Sequence, residues 1–171
     1  MAGTPNFTGV APRQAYVVAA DISGAGTNYK IVGRRVADSS LDFNTGEETD
    51  TDILGITDTD ITGMEESQEF EFPITSEDYD LYAWAKDIYF RRAWAEFKGV
   101  RGLQIHAYEG NTGAYSALEF DSCTFVLQSL GGAGEGGRLN VSFILRFGGE
   151  TRIGTVNTAR LGETITFTPT I

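Results

Sequence analysis

The sequence predicts a mainly β fold, an antiparallel sandwich or barrel with one flanking α-helix. Three observations predict it. Apolar and polar residues alternate in two stretches, Gln68–Ile74 and Leu139–Phe147, as in strands with one face in a core and one in water. Only one stretch, about 76–92, carries apolar residues at helical spacing. Short candidate strands separated by turn residues lie on both sides of that helix in the chain, without a sequence repeat, which points to a sandwich or barrel with a helix packed on it. The 171 residues suit one domain, 1–171, and a body of this size buries about 70% of the surface its unfolded chain exposes.

Residues 1–14 contain Pro5 and Pro12 and read as an extended arm. One basic residue and no continuous apolar run distinguish them from a secretory signal or transit peptide, so the protein is expected to stay in the cytosol where it is made. No apolar run approaches the length of a membrane span, so no membrane insertion is expected. Tyr16, Val18, Ala20 and Ile22 alternate up to the turn SGAG (23–26), and Tyr29–Val36 forms a second β-rich run, giving a hairpin. From Ser39 to Met64 apolar residues are sparse, and about 42–65 reads as a long extended loop or β-ribbon. A compact domain rarely carries a loop of that length without a use for it.

In Gln68–Ile74, residues Phe70, Phe72 and Ile74 share one face, and Glu69 and Glu71 the other. Thr75 or Ser76 then offers an N-cap, with Glu77 and Asp78 in the first helical turn and Lys86, Arg91 and Arg92 toward the far end, where the helix dipole favours each sign. The helix could run on to Phe97. Leu81, Trp84, Ala85 and Ile88 form its core-facing stripe, while Tyr79, Tyr82, Tyr89 and Phe90 add apolar surface elsewhere around it. Seven of the 20 aromatics lie between Tyr79 and Phe97, more than one sheet can cover. Tyr79, Tyr82, Tyr89 and Phe90 are therefore candidates for a subunit contact, loops folded over them being the other reading.

The chain then returns to β patterns: Leu103, Ile105 and Ala107; a turn at EGNTG (109–113); Leu118 to Val126; a flexible connection at GGAGEGG (131–137); Leu139–Phe147; a Gly148-Gly149 turn; Thr151–Val156; and a last strand around Ile165 and Phe167. The expected total is seven or eight strands.

The charge is concentrated. The chain carries 24 acidic and 13 basic residues, a net charge of -11, yet residues 42–80 alone hold 14 acids and no Lys or Arg. The remaining residues are slightly basic. Two like charges about 7 Å apart repel by roughly 0.6 kcal/mol in water, so this segment favours an extended, solvated form. Its acidity disfavours binding to phosphates, which draws its free energy from Lys and Arg displacing counterions.

Chemical motifs fare poorly. Gly132–Gly137 matches GxGxxG, but a strand follows where a dinucleotide site needs a helix. Asp58, Asp60, Thr62 and Glu69 have the spacing of a calcium loop. Against it, no helix precedes the loop, Glu65 stands where an apolar residue belongs, and Glu69 starts a strand. His106, the only histidine, falls on the polar face of its strand with Gln104 and Tyr108 and reads as a surface residue. Cys123 is alone and lies in a strand, as a small buried apolar residue does. Glu69 and Glu71 stand about 6–7 Å apart along a strand, within the range of glycosidase carboxylates, though neighbouring glutamates on a wet face are commonplace. No enzyme and no cofactor are predicted.

KIVGRR (30–35), TDTDILGITDTDITGMEESQEFEFPIT (49–75) and LNVSFILRF (139–147), in this order around one aromatic-rich helix, resemble the tail tube proteins of tailed bacteriophages, including those of phage-like contractile particles. The resemblance covers roughly residues 15–170. It implies six copies closing into a ring and rings stacking into a hollow tube in a virion tail, assembled in the host cytoplasm. DNA would pass through without specific binding, and a tape measure protein, tail tip or baseplate proteins and terminator proteins would be partners. On that resemblance the 42–65 excursion is the ring-stacking element, with Glu47, Glu48, Asp50, Asp52, Ile53, Leu54, Asp58 and Asp60 its candidate residues and the 1–14 arm assisting. Glu69 and Glu71 become candidates for the channel wall, and the helix lies near a subunit contact. The alternative is a monomeric or trimeric β-sandwich binding or decoration module whose acidic loop serves solubility or holds calcium.

Overall fold

The computed structural model describes residues 7–11, 15–32, 40–51, 54, 57–75, 79–111, 113–133, 137–160 and 162–170. Among them the strands are β1 (Tyr16–Asp21), β2 (Lys30–Val32), β3 (Leu41–Thr51), β4 (Thr57–Pro73), β5 (Lys98–Asn111), β6 (Ala114–Ala133), β7 (Leu139–Arg146), β8 (Thr151–Val156) and β9 (Phe167–Pro169). The helix α1 (Tyr79–Arg91) and a 3-10 turn (Trp94–Phe97) lie between β4 and β5. Among the described residues the fold is mainly β, one antiparallel sheet with a single helix, in the order β2-β1-β5-β6-β7-β4-β3, with β8 on β6 and β9 on β8.

The 20-residue strand β6 organises the molecule. One part, Tyr115–Phe120, pairs with β8, and its later part, Thr124–Ala133, pairs with β7. The sheet therefore forks. On one branch β2, β1, β5, β6, β8 and β9 come round until Tyr29 bridges Ile165, enclosing a small core of Ala19, Tyr29, Leu103, Ile105, Ala117, Val156 and Ile165. On the other, β6, β7 and β4 carry the larger core around Phe70, Phe72, Phe125, Val141, Phe143 and Leu145, covered by α1 through Ala85 and Ile88. Register shifts within β6, between Leu127 and Ser129 and between Leu130 and Gly132, supply the extra twist that such a change of partner needs.

Several local expectations need correction. The helix ends at Arg91 and does not reach Phe97. Arg92 takes a left-handed φ of 58°, its N–H donates to the Tyr89 carbonyl, and the Ala93 N–H donates back to the Ile88 carbonyl at 3.1 Å. That pair of bonds is a Schellman cap, which satisfies the last carbonyls and turns the chain away. The expected cap at Ser76 and the acids Glu77 and Asp78 lie outside the described residues. The glycine-rich connection is shorter than expected, because β6 runs on through Gly131 and Gly132 to Ala133; residues 134–136 lie outside the described residues. Of the 1–14 arm only residues 7–11 are described, in bends, with the Phe7 ring edge-on to Tyr108.

The Gln104 and His106 face is not open to water. Gln104 is buried and donates to Glu66 Oε2 at 2.7 Å, and half-buried His106 sits with Nδ1 2.6 Å from the Tyr108 hydroxyl, beside the Tyr16 ring. Burial holds His106 below the usual imidazole value, although the Glu109 and Glu66 carboxylates pull the other way. Strand β5 runs between the two cores, so both of its faces are covered.

Cys123 is fully buried, and burial pushes its thiol up to about 12, consistent with an inert core residue. A Cβ on Gly102 would stand 2.6 Å from the Cys123 sulfur, which is why β5 carries a glycine there. In the small core the buried Glu119 carboxylate accepts the Tyr29 hydroxyl and pairs with Arg101 and Arg152. Those partners offset the cost of desolvating it. Among the described residues no helix is long and apolar enough to cross a membrane.

Asp21 closes the turn after β1. Fully buried, it accepts the Ser23 amide and hydroxyl at Oδ1 and the Thr27 and Asn28 amides at Oδ2. Burial alone would raise its pKa, but these hydrogen bonds outweigh it and hold the carboxyl below its ordinary value. A depressed folded-state pKa contributes stability above the unfolded-state value and loses it as pH falls through the folded one. Asp21→Ala is therefore expected to cost about 2–4 kcal/mol near neutral pH, with the difference from wild type shrinking below the ordinary carboxylate range. Chemical denaturation of both proteins between neutral and strongly acidic pH checks this, and a pH-independent difference would refute the ionic contribution.

Candidate functional site

The acidic excursion is a β-ribbon. β3 and β4 pair continuously from Leu41 opposite Gln68 to Thr51 opposite Thr57, while β4 pairs with β7 only over Ser67–Pro73. Among the described residues the stretch from Phe43/Glu66 to Thr51/Thr57 has no further strand beside it, and it reaches roughly 30 Å beyond the sheet at 3.3 Å per residue. Every residue from Asp42 to Glu65 whose burial is described is exposed.

Its two faces differ in chemistry, and a bulge makes them so. In β4, Ile61 and Met64 are three residues apart, so an unbroken strand would put them on opposite faces. The register steps from Gly46 opposite Gly63 to Glu47 opposite Ile61, skipping Thr62. That extra residue returns Ile61 to the row of Met64. One row of the ribbon then reads Phe43/Glu66, Thr45/Met64, Glu47/Ile61, Thr49/Thr59 and Thr51/Thr57, the last two pairs with hydroxyls 3.4 and 3.1 Å apart. It continues the row of Leu41, Gln68, Phe70 and Phe72, which faces the larger core.

The other row carries Asp42, Asn44/Glu65, Glu48/Asp60 and Asp50/Asp58, and continues into Glu69 and Glu71. It has no apolar side chain along the ribbon. Directly opposed like charges destabilise a two-stranded ribbon. At its base Arg146 approaches Glu65 at 3.7 Å, and Asn140 donates to Glu71 at 2.9 Å.

The sequence-predicted residues fall as follows. Glu47, Glu48 and Asp50 lie in β3, and Asp58 and Asp60 in β4; Leu54 is exposed at the ribbon tip, and Asp52 and Ile53 lie outside the described residues. Glu69 and Glu71 are exposed, opposite buried Phe70 and Phe72, as the alternation predicts. Asp58, Asp60, Thr62 and Glu69 do not converge. They are spread along one extended strand, with Asp58 and Glu69 roughly 35 Å apart, so the calcium-loop spacing makes no loop. Phe43 and Met64, half exposed on the apolar row, were not singled out; their signal was an apolar residue inside an acidic run.

On α1 the core-facing stripe lies as predicted, with Ala85 and Ile88 buried and Leu81 and Trp84 packed beside them. The remaining aromatics form an exposed patch: Tyr79 is 46% exposed and Phe90 70%, with Tyr89 beside it and Tyr82 half-buried. Trp94 joins it, its ring 6.0 Å from that of Tyr89. Two cations lie on these rings: Lys86 over Tyr82 and Phe90, and Arg92 over Tyr89 and Trp94. Arg91, by contrast, is held by Asp87 and Glu96.

No protein-family model matches the chain, and no curated protein matches its sequence. Solved structures do. A chain in the tail of an empty gene transfer agent particle, reconstructed with C6 symmetry, superposes with a TM-score of 0.56 at 10% identity over 83% of this chain and 97% of that one. A chain in the cap that terminates the anti-feeding prophage tube gives 0.50 at 12% identity over 87% and 93%. One in the extended sheath-tube complex of an extracellular contractile injection system gives 0.50 at 9% over 86% and 93%. At these identities the likeness is one of fold, and it is the fold that the tail-tube resemblance in the sequence implies.

Proposed function

We propose that this chain is a structural subunit of a phage-like tail tube, six copies closing into a ring and rings stacking through the β3–β4 ribbon. The ribbon carries this reading. A two-stranded ribbon is marginal in water, and this one sets Glu48 against Asp60 and Asp50 against Asp58 in one row, so it needs a partner surface to be worth keeping. The shared fold with chains of tail, tube and cap assemblies supports a second copy as that partner. Ring closure also pairs sheet edges that would otherwise invite uncontrolled association. A tape measure protein inside, with terminator and tip or baseplate proteins at the ends, belongs to the same reading.

Electron microscopy of the purified chain tests it. Rings or tubes are expected, and a monomer of 18.6 kDa at high concentration would favour the decoration-module alternative.

The acidic row that includes Glu69 and Glu71 is assigned to the channel wall, where it repels phosphates and lets DNA slide. The double variant Glu69→Lys/Glu71→Lys is then expected to assemble but to retain DNA, more strongly at low salt, since each Lys on a phosphate releases counterions. Retention assays on purified tubes at two salt concentrations check this. Unchanged DNA passage would remove those glutamates from the wall.

A further inference from the structure

Within the reading of the chain as a self-assembling tube subunit, on which this rests, we infer that the apolar row of the ribbon docks on the exposed aromatic patch of α1 in a second copy. Each surface lacks what the other supplies. The ribbon row offers Phe43, Ile61 and Met64, all exposed, among five threonines, with Glu47 and Glu66 as its acids. The patch offers Tyr89, Phe90 and Trp94 with Lys86 and Arg92 stacked on their rings. Among the described residues neither Lys86 nor Arg92 has a carboxylate within ion-pair distance, whereas Arg91 beside them has two. The ribbon brings carboxylates from a segment without a single Lys or Arg.

Geometry separates the row from the patch within one molecule. The ribbon projects away from the sheet, while α1 is seated over the body of the larger core. The bulge at Thr62 also acquires a purpose: it collects Phe43, Ile61 and Met64 of the two strands on one face and leaves the acids other than Glu47 and Glu66 on the other, as a ribbon with one docking face and one solvated face requires. The patch, an apolar surface ringed by charge, has the composition of a contact surface, with aromatic and Arg side chains as anchors.

Disulfide trapping tests the inference in the full chain, whose own Cys123 is buried. Met64→Cys with Phe90→Cys places thiols on the two proposed surfaces. Glu65→Cys with Phe90→Cys shifts the first thiol to the acidic face. Oxidation of assembled protein is expected to give a ladder of covalent oligomers from the first pair, severalfold above the second. A second arm reverses charge: Lys86→Glu/Arg92→Glu is expected to reduce sedimentable assembly severalfold, and adding Glu47→Lys to restore part of it. Tubes that form with equal trapping in both pairs, or with no loss on charge reversal, would overturn the docking while leaving the tube reading intact. A chain that never assembles would count against both.

Discussion

Replacing residues 44–65 by a two-residue Asn-Gly turn is expected to leave a folded protein that builds no tube. The cut joins Phe43 to Glu66, which already face each other in register, keeps Glu66 as the partner of buried Gln104, and Asn-Gly suits a two-residue hairpin. Nothing in the removed stretch is fully buried among the residues whose burial is described. The core therefore keeps its apolar contacts, and the thermal midpoint should move by only a few degrees. Higher assembly is the property that should vanish, read by sedimentation and electron microscopy beside the full chain. Tubes of ordinary length from the shortened protein would show that stacking lies elsewhere. A protein that fails to fold would show that the ribbon supports the body, contrary to its exposure.

The opposite result is expected from Phe143→Ala, where folding itself should suffer. Phe143 lies at the centre of the larger core, its ring 5.4 Å from Phe70, 5.9 Å from Phe72 and 4.8 Å from Phe125. The substitution removes one ring from a cluster to which β4, β6 and β7 each contribute. Deleting a buried phenyl ring costs about 3–5 kcal/mol, the transfer free energy plus the cavity left behind. In a domain of this size that lowers the thermal midpoint by roughly 10 °C. Ile144→Ala, one residue along on the opposite face of β7 and only half-buried, is the control and should cost distinctly less. Denaturant titration of the two variants measures the difference, and equal losses would mean that the core is not centred on Phe143.

The fold class and the site differ in how far the sequence reveals them. Strict alternation at Gln68–Ile74 and Leu139–Phe147 is local, and both stretches form strands with the predicted faces inward. The acidic block is equally legible, since charge is read residue by residue. What the alternation could not show is which faces are covered. Gln104 and His106 look like the wet side of β5 because polar residues alternate with apolar ones. Gln104 is buried and His106 half-buried because β5 runs between two cores, and Gln104 finds its partner in Glu66, 38 positions away in the sequence.

The ribbon shows the same division. Its composition by itself fixed an extended, solvated, acidic segment, because repulsion among like charges acts in any conformation that brings them near. Its helix neighbour by itself fixed an excess of aromatics over what one sheet covers. Only the tertiary structure decided that Asp42, Glu48, Asp50, Asp58, Asp60 and Glu65 occupy one row and Phe43, Ile61 and Met64 the other. That depends on the cross-strand register and on one residue, Thr62, that the register skips. Side-chain facing along a strand has a period of two, so a single bulge reverses every assignment beyond it. A bulge is set by pairing with a distant strand, which the local sequence of either strand does not record.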